Sequence, residues 1–366
     1  MSPSDDIISL GDSNFLECIR GKKPLFISVI SSIETTRYLP ISGVNREVIE
    51  YTPAADMELV IRGRSLSLPS PPVDATMSPS PATITRANVH LRDIPVLTVD
   101  AGALVRPKIP PSTYIPVDRR PTGDISKGLA MENSRRLFEV GREIGRRLGA
   151  KGDFQVAVIG ECVPGGTTSA LGVLLGLGYD AEDKVSSGSL KNPRELKLRV
   201  VREGLKRAKS RDVFDILNAV GDKMMPVVAG MVFSLVRCKK YIILGGGTQM
   251  ASVLAVIKEI EGKLKESILD SGYISLGTTE FLLRDRHSDI KGLVEEIGED
   301  IPVYAARFHY ERSKIEGLRA YCRGAVKEGV GAGGISIYSY LNGLSPEDIR
   351  DYVESHYYKW FGNRKL

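Results

Sequence analysis

Histidine and cysteine are scarce in this 366-residue chain, with 4 of each, and there is a single tryptophan. Cys18, Cys162, Cys238 and Cys322 lie far apart and form no C-x-x-C pair, which excludes a disulfide framework and a zinc ribbon. None of His90, His287, His309 and His356 sits in an H-E-x-x-H arrangement, so no metal or other cofactor is expected. His309-Tyr310-Glu311 has the look of half a deaminase signature, but the P-C-x-x-C half is missing. There is no G-x-x-x-x-G-K-[ST] and no G-x-S-x-G, which removes the usual routes to a P-loop NTPase and an α/β-hydrolase. Long apolar runs are absent too: the longest, residues 224–236, is interrupted by Pro226 and Ser234 and is shorter than the roughly 20 residues of a membrane span. The first residues are acidic and no apolar segment follows them, so a cytoplasmic chain is expected.

What is present is a balanced, enzyme-sized composition. Fifty Lys+Arg against 45 Asp+Glu leave a net charge of +5, and 42% of residues are hydrophobic, enough for a sizeable core. The basic stretch 194–211 interleaves its charges with Leu196, Leu198, Val201 and Leu205, which reads as a solvated helix face rather than a nucleic-acid patch. Short aliphatic runs at 25–30, 57–61, 94–99, 154–159, 241–244, 273–276 and 302–306 read as strands, several of them covered on both faces. Between 131 and 150, Leu137, Val140, Gly141, Ile144 and Leu148 recur at helical spacing. The alternation predicts an α/β fold: a doubly wound, mainly parallel sheet with helices on both faces, plus a smaller part built from the N-terminal third and the C-terminal tail. The expected division is 1–120, with a Pro/Ser-rich loop or lid at 66–86; 121–344, the α/β core; and 345–366, a helix opened by Ser345-Pro346-Glu347-Asp348.

One local pattern recurs. Gly165-Gly166-Thr167-Thr168, Gly246-Gly247-Thr248 and Gly277-Thr278-Thr279 each follow a strand and precede a helical stretch. A single copy is ordinary N-cap chemistry, but three gathered at the carboxyl ends of a parallel sheet suit a phosphate, held by helix N-termini and threonine hydroxyls. A further cluster, Glu328-Gly329-Val330-Gly331-Ala332-Gly333-Gly334, contains G-x-G-x-x-G but opens no βαβ unit, so it is not a dinucleotide fingerprint. It places a carboxylate beside backbone that can approach a ligand closely.

The segment Gly160-Glu161-Cys162-Val163-Pro164-Gly165-Gly166-Thr167-Thr168-Ser169-Ala170 resembles the G-E-M-G-I-G-N-T-T-x-A stretch of the nicotinate-nucleotide:dimethylbenzimidazole phosphoribosyltransferase family. Further matches follow in the family's order: Gly123-Asp124-Ile125-Ser126 with Ala130-Met131, Val185-Ser186-Ser187-Gly188-Ser189 with Lys197, Ala219-Val220-Gly221, Gly245-Gly246-Gly247 and Glu328-Gly329-Val330-Gly331-Ala332. They cover roughly 120–340. Gly166 and Val330 depart from the bacterial pattern, which has asparagine and threonine there, and nothing in 1–120 matches its base-binding stretch; the chain is more similar to an archaeal branch of the family.

The resemblance implies transfer of the phosphoribosyl group of nicotinate mononucleotide to an azole base in the synthesis of the lower ligand of cobamides, with release of nicotinate. It also implies a homo-oligomer acting on small molecules, with no nucleic-acid or membrane partner. By the same resemblance Glu328 is the catalytic base. Glu161, Gly165, Gly166, Thr167 and Thr168 line the mononucleotide site, Ser187, Gly188, Ser189 and Lys197 lie near the phosphate, Gly246 and Gly247 near the ribose, and Gly329 and Gly331 beside the ligand. The alternative is a non-catalytic nucleotide-binding protein that kept the phosphate loops.

Overall fold

A computed structural model describes residues 5–11, 14–42, 48–74, 76–188, 192–298 and 300–362. Its centre is one eight-stranded sheet: β1 Ile7–Ser9, β2 Pro24–Ile30, β3 Val96–Asp100, β4 Tyr114–Pro116, β5 Val156–Cys162, β6 Tyr241–Gly245, β7 Ile274–Thr279 and β8 Val303–Ala306. The spatial order is β1-β8-β7-β6-β5-β2-β3-β4. All neighbours are parallel except β1, which runs antiparallel to β8 at the edge. All seven residues of β5 are buried, as its continuous Val-Ala-Val-Ile run requires of a strand covered on both faces.

Two apolar layers enclose the sheet. One is led by the helices Ser134–Lys151 and Met224–Arg237. They cross so closely that a Cβ on Gly141 would stand 2.2 Å from the Val227 carbonyl oxygen, and one on Gly230 would stand 2.1 Å from that of Phe138. The apolar run 224–236 is thus a helix buried all round in the core, and no helix among the described residues is long and apolar enough to cross a membrane. The other layer joins Thr52–Arg62 and Ala82–Leu91 to the late helices Ala332–Leu341 and Pro346–Phe361. The N-terminal third therefore supplies β1 to β4 and two covering helices. The final helix starts on the expected capping box, with the Ser345 and Asp348 side chains bonded reciprocally to backbone N–H groups.

Three sequence expectations are corrected. The loop expected over 66–86 gives way at its end to the helix Ala82–Leu91, which starts directly after Pro81. The run 57–61 is helical, within Thr52–Arg62: a short apolar run fits strand and buried helix equally, and here Pro53 in the first turn and Gly63 at φ 74° after the last decide for helix. The triplet Gly277-Thr278-Thr279 belongs to β7 itself, not to a loop after it. Thr279 then caps the short helix Glu280–Leu283.

The sheet order locates the site. From β2 the chain winds outward through β3 to β4, and from β5 it winds the other way through β6, β7 and β8. The direction reverses between β2 and β5, and in open α/β sheets a crevice opens outside the carboxyl ends at such a reversal.

Candidate active site

A cavity of about 150 Å³ lies at that reversal. Its walls come from the end of β5 and the turn after it (Glu161 to Gly165), Thr167, Gly188, Gln249, Val326 and the segment 328–330. The N-terminal third closes it with Ile41, Thr52, Asp56 and the stretches 72–74 and 78–81. The loop of these two stretches is built to hold its shape: Asp74 Oδ1 accepts from the backbone N–H groups of Thr76 and Ser78 at 2.8 and 2.9 Å, and the Tyr321 hydroxyl donates to the Pro79 carbonyl.

Glu328 reaches the cavity because of glycine packing behind it. The helix Ala332–Leu341 lies on β5, β6 and β7 with backbone against backbone: a Cβ on Gly160 would stand 2.8 Å from Gly331 Cα, one on Gly334 2.7 Å from Gly245 Cα, and one on Gly333 2.1 Å from the Thr278 carbonyl. Gly331, at φ 67°, starts this helix. Val330 precedes it at φ 52°, a left-handed conformation that is a genuine outlier for a β-branched residue. The Glu328 carboxyl accepts from the N–H of Gly329 at 3.0 Å, the N–H of Gly333 at 3.2 Å and the Thr278 hydroxyl at 3.5 Å. Burial nevertheless outweighs these bonds and pushes its pKa up to about 8.

Glu161 ends β5, 5% exposed, with the N–H of Val163 on its Oε2 at 2.9 Å. Burial, followed by the negative charge of Asp222, raises it to about 8, with Glu328 adding further repulsion. Asp222, buried beside the helix Met224–Arg237, is raised by burial to about 7. The next residue of the strand, Cys162, faces the other side of the sheet, where its thiol donates to Asp56 Oδ2 at 3.4 Å. Asp56, 2% exposed, is likewise raised to about 7 by burial, which the neighbouring Ser80 and Cys162 side chains offset only in part. Glu328, Glu161 and Asp56 thus line the cavity in nearly dry settings, with Asp222 buried behind Glu161.

Positive charge sits to one side. The Lys197 ammonium donates to the Thr167 hydroxyl at 2.9 Å and to the Ser186 carbonyl at 3.2 Å. Among the described residues no carboxylate forms an ion pair with it; Asp285 pairs instead with Lys327, at 3.2 Å. Burial, with repulsion from Lys327 next, lowers Lys197 to about 7. The Lys327 ammonium donates to the Ser187 carbonyl at 2.8 Å. The buried hydroxyls of Thr168 and Ser187 have no partner among the described residues. Lys197, the ion-paired Lys327, two unpartnered hydroxyls and the N-terminus of the helix Gly166–Leu177 therefore gather on one side of the cavity.

The structure therefore brings Glu328, Glu161, Gly165, Thr167, Gly188 and Gly329 to one cavity wall, with Thr168, Ser187 and Lys197 beside it. Gly166 stands at the start of its helix, where a Cβ would meet the Gln249 side chain at 2.1 Å. Gly246, Gly247 and Gly331 are outside the lining: Gly246 packs on Met250, Gly247 on Leu282, and Gly331 on Gly160 and Phe26. Ser189 lies outside the described residues. Asp56, Ser80, Asp222 and Gln249 escape sequence reasoning, because no local motif ties them to the glycine turns. No cluster of three or more His, Cys, Asp or Glu placed to hold a metal ion occurs among the described residues.

Fold and site together define an open α/β protein with an acid-rich cavity at its switch point and two buried lysines, Lys197 and Lys327, beside it. A family profile described as "Phosphoribosyltransferase" matches residues 83–271. A UPF0284 protein of Methanocaldococcus jannaschii is 57% identical over 358 residues, 97% of this chain and 99% of that one. Another, from Sulfolobus acidocaldarius, is 42% identical over 94% of this chain and 99% of its own. The chain belongs to this phosphoribosyltransferase family, as the ordered motifs of 120–340 lead one to expect. Among solved structures, the nicotinate-nucleotide-dimethylbenzimidazole phosphoribosyltransferase of Thermus thermophilus superposes with a TM-score of 0.59 at 15% identity, covering 95% of this chain and 87% of that one. A structure of CobT from the same organism gives 0.58 at 15% identity, covering 100% and 97%. These two establish a shared fold.

Proposed function

We propose that this protein transfers the 5-phosphoribosyl group of nicotinate mononucleotide to an azole base, releasing nicotinate, as a step in making the lower ligand of cobamides. The observation that carries the reading is that Glu328 and Thr167 face one cavity, while Thr167 also touches the buried Lys197. A carboxyl group and a lysine-backed hydroxyl thus border the same cavity.

In this reading the phosphate occupies a seat made by Thr167, Thr168, Ser187, Gly188 and Lys197. The ribose lies toward Glu161, whose carboxyl can accept from its hydroxyls. The azole nitrogen forms a bond to the anomeric carbon as the carbon–nitrogen bond to the pyridinium breaks. That electron pair returns to the departing ring, so the leaving group needs no acid. The azole N–H proton goes to Glu328, whose pKa near 8 suits a base working near neutrality. Fixing both ligands in one cavity contributes through orientation. We also propose that the active form is a homo-oligomer, checked by light scattering of the purified chain.

The test is direct: purified protein, nicotinate mononucleotide and a panel of azoles, with free nicotinate measured by chromatography. Tight mononucleotide binding without nicotinate release from any azole sinks the enzymatic reading in favour of a non-catalytic binding protein.

A further inference from the structure

Asp56 has a use that the reaction above does not give it. It projects from the helix Thr52–Arg62 into the cavity that Glu328 also lines and is 2% exposed. Its Oδ2 accepts from the Cys162 thiol at 3.4 Å and the Ser80 side chain lies close by, yet by hydrogen-bond geometry its buried Oδ1 has no partner among the described residues. A carboxyl oxygen held out of water without a donor is costly, unless the occupant of the cavity brings the donor. Among the described residues no lysine or arginine lines this cavity, so they supply no cation there. Pro72, Val73, Pro81, Val326 and Val330 provide apolar surface in the same walls, which suits the faces of a flat ring system.

A flat fused azole in that slot presents its ring N–H to Glu328. A carboxyl elsewhere in the wall is poorly matched to methyl groups, which leave its free oxygen unpaired, and well matched to a hydroxyl or amino group. Resting on the phosphoribosyltransferase reading, we propose that Asp56 sets base specificity, selecting a fused azole that carries a hydrogen-bond donor, hydroxyl or amino, on its six-membered ring over one that carries methyl groups there. The discrimination follows from an unmade bond: a site built to pair with a donor rejects the analogue that lacks it more strongly than an apolar pocket rejects an extra polar group.

The experiment compares kcat/KM for nicotinate release with 5-hydroxybenzimidazole, 5-aminobenzimidazole and 5,6-dimethylbenzimidazole, using the full chain and the variants Asp56→Asn and Asp56→Val. At pH 8, where Asp56 is mostly ionised, the wild type is expected to favour the hydroxyl or amino base over the dimethyl base by about tenfold or more, the scale of one hydrogen bond to a buried charged group. Asp56→Val should erase or invert that ratio, and Asp56→Asn, nearly isosteric and keeping one acceptor, should lower it. Circular dichroism verifies folding, and if the valine variant does not fold, the asparagine variant carries the test. A wild-type preference for the dimethyl base, or a ratio unmoved in a folded Asp56 variant, overturns the role of Asp56. Absence of nicotinate release with all three bases overturns the underlying reaction instead.

Discussion

The backbone N–H of Val330 donates to the carbonyl of Glu161 at 2.8 Å, pinning the segment that carries Glu328 to the end of β5, 169 positions away by residue number. The Val330 carbonyl is held in turn by the Thr85 hydroxyl at 2.8 Å. Two acids from distant parts of the chain are thereby fixed across one cavity, and the consequences can be measured.

Glu328→Gln should lower kcat by about 10²–10⁴, the usual contribution of a general base, with mononucleotide affinity unchanged by calorimetry. In the wild type, activity should rise with pH along a limb near 8, because Glu328 must be ionised and burial holds it up to about that value. A variant that keeps its turnover, or a limb near the ordinary glutamate value of 4.5, counts against the assignment.

Lys197→Met should act in opposite directions on binding and stability. Losing a charge-assisted bond to phosphate costs about 1.5–3 kcal/mol, roughly 10- to 150-fold in affinity. The ligand-free variant should melt at a higher temperature than the wild type, because it no longer buries an ammonium beside Lys327. Scanning calorimetry with and without mononucleotide reads both effects; a lower ligand-free Tm together with unchanged affinity would show that the lysine is structural.

Gly333→Ala should destabilise by about 1–3 kcal/mol, since its Cβ would meet the Thr278 carbonyl at 2.1 Å. It should also lower kcat, because Thr278 and Gly333 both donate to Glu328. Gly262→Ala is the control: it sits within the helix Thr248–Leu264 with nothing within 4 Å of the added carbon and should gain about 0.5–1 kcal/mol. Denaturant titration of the pair checks the contrast.

Stability should fall as pH rises from about 4 to about 8. Asp56 and Asp222 are raised from 3.8 to about 7, and Glu161 and Glu328 from 4.5 to about 8. In that window the folded chain binds more protons than the unfolded one, so each added pH unit favours unfolding. Lys197, lowered from 10.5 to about 7, works the other way above pH 7. Asp222→Asn should therefore raise Tm more at pH 8 than at pH 5; an equal shift at both would refute the account.

The strands β2, β3 and β5 to β8 were legible because covered parallel strands are apolar on consecutive positions, whereas the three-residue edge strands β1 and β4 are too short to show a pattern; the helix Ser134–Lys151 was legible because its apolar stripe has a clear period. The run 57–61 was not, since its length fits both states. Glu328 stood out in the sequence as a carboxylate beside a glycine run, and its proposed part as a base came from resemblance; Lys197 was masked, because it lies in a stretch whose charge pattern reads as a solvated face, yet it is 1% exposed. The glycines of 329–334 divide unexpectedly, Gly329 facing the cavity and Gly331, Gly333 and Gly334 serving backbone-to-backbone packing.

By itself the sequence determined the α/β class, the ordered family motifs and the residue types available for phosphate and proton handling, because these depend on composition, period and local turn chemistry. Tertiary structure alone decided that residues 72–74, 78–81 and Asp56 close the cavity, that Asp222 presses on Glu161, and that Lys197 has no carboxylate to pair with among the described residues. Those relations join residues tens to hundreds of positions apart, and the reversal of winding between β2 and β5, which no local pattern encodes, is what brings them together.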